Sequence, residues 1–150
     1  MDSDGVAQRA IKDALEELNR TGGPLLPVTV TLLDHGDPRQ QELRVTRYVG
    51  EYLEDCVAQA HASIDPARPE LADVTVYAVV HDGYVTVDDT RWDAILVELG
   101  RADVPDAATH AQRYQTVTSR VRRNRRVIAV GAPLLANTLT SRLWAGDPIA

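Results

Sequence analysis

Asp73-Val74-Thr75-Val76-Tyr77-Ala78-Val79-Val80-His81-Asp82-Gly83-Tyr84-Val85-Thr86-Val87-Asp88 is the stretch that decides the fold. Two runs rich in β-branched and aromatic residues flank one Asp-Gly pair. That pair suits a two-residue type I′ turn, because both central positions need positive φ. A bend at Asp82-Gly83 predicts a hairpin in which His81 faces Tyr84 and Val80 faces Val85. Side chains alternate along a strand, so Val76, Ala78, Val80, Val85 and Val87 fall on one apolar face. Tyr77, His81, Tyr84, Thr86 and Asp88 fall on the other, wetter face.

Before the hairpin, apolar residues at Val6, Ala7, Ala10, Ile11, Ala14, Leu15 and Leu18 predict an amphipathic helix from Ser3 to Arg20. Ser3 or Asp4 is placed to cap it, and Thr21-Gly22-Gly23-Pro24 ends it. Leu25 to Leu33 and Gln41 to Val49 read as paired strands joined by Asp34-His35-Gly36-Asp37-Pro38, with Leu43, Val45 and Val49 inward. A second helix is expected from Glu51 to Ile64, stopped by Pro66 and Pro69.

After the hairpin, Thr90 to Leu99 has some helical spacing, but Ala94-Ile95-Leu96-Val97 is an unbroken apolar run suited to a strand buried on both faces, and a strand is the reading taken. Ala108 to Thr118 and Val127 to Val130 read as further strands. Asn137 is the expected cap of a last short helix carrying Leu139, Leu143 and Trp144. Hairpins dominate and no βαβ rhythm appears. The reading is therefore one α+β domain over residues 1–150, a two-layer fold of about six mostly antiparallel strands with both main helices packed on one face.

Composition bounds the function classes. The 150 residues are 44% apolar and 25% charged, and no apolar run approaches the ~20 residues of a membrane helix. The acidic N-terminus does not resemble a signal peptide, and the single cysteine, Cys56, forbids an internal disulfide; both predict a cytoplasmic protein. The lack of Phe and the fifteen arginines against one lysine read as codon composition of a GC-rich, bacterial genome. Net charge is −6 but uneven. Residues 1–106 hold 21 acids against 9 bases, net −12, and residues 107–150 hold 7 arginines against Asp147, net +6. Such asymmetry suits either an anionic partner or contact between the basic end and acidic strands of the same chain or of a second copy.

Four groups of residues carry candidate chemistry. Arg120, Arg122, Arg123, Arg125 and Arg126 could bind phosphates as a hairpin loop, although no aromatic residue interleaves with them as single-strand recognition usually requires. Asp34, His35 and Asp37 offer metal ligands, but a turn needs Asp and Gly for backbone reasons, and no second ligand motif exists; no metal and no cofactor are expected. Cys56 with His61, His81 or His110 could form a nucleophilic pair, but Cys56 lies beside an apolar helix stripe where thiols are inert packing. No catalytic residue is assigned. The fourth group is the wet hairpin face, Tyr77, His81, Tyr84, Thr86 and Asp88, with Arg113 and Tyr114 beside it, residue types enriched at interfaces.

The expectation is a non-enzymatic interaction module, homodimeric or bound to a protein partner through a sheet face or edge. A nucleic-acid binder acting through Arg120 to Arg126 is the first alternative, and a small-molecule-binding or hydrolytic domain reached by His81 or His110 is the second.

Overall fold

The computed structural model describes residues 1–121 and 124–146. Helix α1 (Ser3–Thr21) presents Val6, Ala10, Ala14 and Leu18 as its buried stripe. Its cap is Asp2, one residue earlier than expected, whose carboxylate accepts from the Gly5 N–H at 2.8 Å. Gly22, at φ 82°, turns the chain out of the helix, its N–H bonding the Leu18 carbonyl. Strands β1 (Val28–Leu33) and β2 (Glu42–Arg47) form an antiparallel hairpin. Helix α2 (Leu53–Ser63) then leads into three long strands, β3 (Val74–Val87), β4 (Thr90–Arg101) and β5 (Asp106–Thr118). Two shorter strands follow, β6 (Arg125–Ala129) and β7 (Leu134–Thr140).

All pairings are antiparallel. The sheet runs β2-β1-β3-β4-β5-β6, and β7 joins the same edge of the meander by pairing with the first half of β5. The α+β class and the antiparallel sheet are therefore as expected, and Thr90–Arg101 is a strand. Among the described residues, no helix is long and apolar enough to cross a membrane.

Three expectations are corrected. First, the chain does not bend at Asp82-Gly83: both lie inside β3, opposite Ile95 and Ala94, and the turn falls at Asp88-Asp89. Those two residues carry the paired positive φ, 49° and 64°, that the turn demands. Bending six residues later lets β4 pair with β3 from Val76 to Val87, a far longer ladder. Gly83 serves close packing instead, since a Cβ there would sit 2.6 Å from Leu96 Cδ1.

Second, the helices occupy opposite faces. Val76, Ala78 and Val80 cluster with α1, Ile95 and Val97, whereas Tyr77 and Val79 cluster with Ala60 and Ile64 at the end of α2. Residues 76–80 are thus buried on both sides, which explains why that run is nearly continuous in apolar character. Third, the segment around Asn137 is strand β7, with Asn137 opposite Thr109. Its Thr and Leu content suits an extended edge as well as it suits a helix, and the free edge of β5 decided the matter.

Helix α1 lies over β3, β4 and β6 and touches β1 only lightly. The sheet curls so that β6 reaches α1, where the Asn19 amide bonds both backbone groups of Val127: Nδ2 to the carbonyl at 3.1 Å and the N–H to Oδ1 at 2.7 Å. One side chain thereby closes the outer edge of β6.

Candidate functional site

The wet face read from the sequence does not exist as a surface. An unbroken β3 puts Tyr84 and Thr86 on the side of α1, and Tyr77 and His81 on the side of α2. Tyr77 is fully buried and Tyr114 nearly so. Tyr84 is exposed under the Arg91 guanidinium, 3.7 Å from its ring centre, and Asp88 stands in the turn. Arg113 lies 5.3 Å from the Trp92 ring. The Tyr114 hydroxyl donates to Asp82 at 2.7 Å, and burial raises the Asp82 carboxyl above its ordinary range.

The other candidates separate as well. Arg125 packs against Gly22 at the C-terminus of α1, where the helix dipole favours a cation. Arg120 and Arg126 are described, and Arg122 and Arg123 lie outside the described residues. His35 bridges Glu42 at 3.1 Å and Asp73 at 3.7 Å, while the Asp34 and Asp37 carboxylates accept from turn N–H groups. No group of three or more metal-ligating side chains occurs among the described residues. Cys56 is buried against Gly50.

Two features that sequence reasoning missed are better defined. One is a buried polar cluster on the α2 face. Glu98 of β4, opposite Val79, has a side chain only 5% exposed. Its Oε2 accepts from the Tyr77 hydroxyl and from Arg142 Nε, both at 2.7 Å, and its Oε1 accepts from Arg142 Nη2 at 3.1 Å. The Arg142 N–H in turn donates to the Tyr77 oxygen at 3.2 Å. Burial raises Tyr77, and the bond to Glu98 raises Arg142, each keeping its proton more tightly than usual.

His61 of α2 approaches the same carboxylate, Nε2 to Oε1 at 3.6 Å, and its ring meets His81 edge-on at 5.6 Å between centres. The His61 and His81 Nδ1 atoms lie 2.9 Å from the Val57 and Asp82 carbonyls. A carbonyl only accepts, so each ring carries a proton on Nδ1. Both Glu98 oxygens are engaged by donors, which suits a fork fastening the chain after β7 onto the sheet better than it suits general-base work. The available signal was Glu98 itself, a lone charge inside an apolar strand buried on both faces, which demands a partner.

The second feature is the β2 end of the molecule. Because α1 sits over the middle of the sheet, β2 is left almost wholly exposed. Val45 and Val49, read as inward, are 52% and 75% exposed. Between α1 and β1–β2 lies a groove of about 410 Å³, floored by Ala10, Ala14, Val28, Val30 and Val45. At its rim Glu17 binds Arg47 at 3.0 Å and Arg20 at 3.4 Å. Just past β2, Tyr52 and Leu53 are 63% and 38% exposed, next to exposed Glu51, Glu54 and Asp55.

No family model, no curated protein and no solved structure matches this chain.

Proposed function

We propose that the chain is a protein-interaction module, without catalytic activity, whose contact surface runs from β2 to the first turn of α2. One observation carries this reading. Of the nine large hydrophobic residues exposed among the described residues, four (Val45, Val49, Tyr52 and Leu53) fall within residues 45–53, at a free strand edge beside an apolar groove. Exposed apolar patches rimmed by polar groups mark contact sites, and tyrosine is enriched at the centres of such sites. A free edge can accept an extended segment by backbone pairing while alternate side chains enter the groove. The acidic rim of Glu51, Glu54 and Asp55 selects a segment that combines apolar with basic residues.

The test is a titration of the labelled full chain with two synthetic peptides, one alternating valine with lysine and one alternating valine with glutamate. The lysine peptide is expected to shift amide signals of residues 42–53 and of the groove, less so at high salt, and Tyr52→Ala is expected to weaken it. Equal response to both peptides, or shifts elsewhere in the molecule, overturns the reading.

A further inference from the structure

Strands β2, β6 and β7 each present an outer edge, and these edges are protected unequally. Strand β2 carries Glu42, Arg44 and Arg47 among its six residues, charges that restrict pairing there to a segment able to complement them. The outer edge of β6 is closed by the Asn19 amide. Strand β7, Leu134-Leu135-Ala136-Asn137-Thr138-Leu139-Thr140, has no charged residue and no proline, and its five residues 135–138 and 140 are exposed. Its one described strand neighbour is β5, and Leu135 is 62% exposed. A small bulge at Ala136 is the single irregularity along it.

We infer that β7 pairs antiparallel with β7 of a second copy of this chain, across a two-fold axis normal to the sheet. The occupant follows from the strand's own chemistry. An uncharged edge prefers an uncharged strand, and β7 meets that requirement for itself with no charge buried on either side. Charge placement favours the same arrangement. β6 and β7 follow one another along β5, so the basic β5–β6 tip with Arg120, Arg125 and Arg126 lies beyond one end of β7. An antiparallel two-fold sends the two tips to opposite ends, where they do not repel.

This inference goes beyond the contact surface proposed above and rests on separate residues. β2 lies at the far edge of the sheet from β7. Joining two β7 strands therefore leaves both β2 segments facing outward, and the dimer presents two contact surfaces. A partner with two suitable segments then gains avidity without any new contact. Seven paired residues make an interface below the ~1,200 Å² of standard complexes, so association depends on concentration.

The experiment is sedimentation or light-scattering mass of the full chain from low to hundreds of micromolar, for the natural sequence, Asn137→Lys, Asn137→Thr and Tyr52→Lys, with circular dichroism confirming folding. The natural chain, Asn137→Thr and Tyr52→Lys are expected to rise from one-chain toward two-chain mass, while Asn137→Lys stays at one. A one-chain mass for the natural sequence throughout overturns the inference. So does a dimer lost in Tyr52→Lys but kept in Asn137→Lys, which would place self-association at the β2 end. If Asn137→Lys fails to fold, Thr138→Lys takes its place under the same criteria.

Discussion

Arg142→Ala is the most informative single perturbation, because it removes the guanidinium that pairs with a carboxylate only 5% exposed. Glu98 would keep the Tyr77 hydroxyl and lose both fork bonds, at 2.7 and 3.1 Å. Removing one partner of a buried pair typically costs 3–5 kcal/mol, and since Arg142 is 35% exposed the lower end applies, about 3 kcal/mol. For a chain of 150 residues that corresponds to a melting temperature lower by about 6–12 °C. Glu98→Gln should cost less, about 1–2 kcal/mol, since the amide oxygen still accepts from Tyr77 and the freed arginine can turn to water. The double variant should then lie close to Glu98→Gln alone, giving a coupling of about 3 kcal/mol, the full size of the Arg142→Ala loss. Urea denaturation of all four proteins, with unchanged m values, reads this directly. Additive losses, or an Arg142→Ala midpoint indistinguishable from the natural chain, would refute the description of Glu98 as a buried charge dependent on its fork.

Two further predictions follow from the same geometry. Burial holds His81 below its ordinary value of 6.5, so on acidification the unfolded chain takes up this proton before the folded one does. Stability should therefore fall as pH drops through and below 6.5, and His81→Gln should flatten that part of the profile; an unchanged slope contradicts the placement of the ring. Asn19→Ala leaves the Val127 N–H and carbonyl without partners at the β6 edge. A cost of about 1–3 kcal/mol and faster hydrogen exchange at the Val127 amide are expected, and unaltered exchange there would show that the edge is closed by something else.

What the chain disclosed in one dimension was local. The 3.6-residue spacing of Val6, Ala10, Ala14 and Leu18 gave α1, since a helix must bury one stripe whatever covers it. Alternation and β-branching gave the strands, and Gly22 gave the end of the first helix, because these depend on backbone sterics within a few residues. The turn of the central hairpin was not legible, since Asp82-Gly83 and Asp88-Asp89 both satisfy turn chemistry and the ladder with β4 chose between them. The exposure of each face was not legible either. The same alternating Tyr77 and His81 read as wet until α2 is laid over them, and Val45 reads as dry until α1 is seen to stop short of β2. Nor could the fork of Arg142 on Glu98 be read, because the two stand 44 residues apart and only the return of the chain after β7 joins them. Periodicity fixes which residues share a side. Which side meets another layer is settled by long-range packing, and the candidate sites depended on that packing.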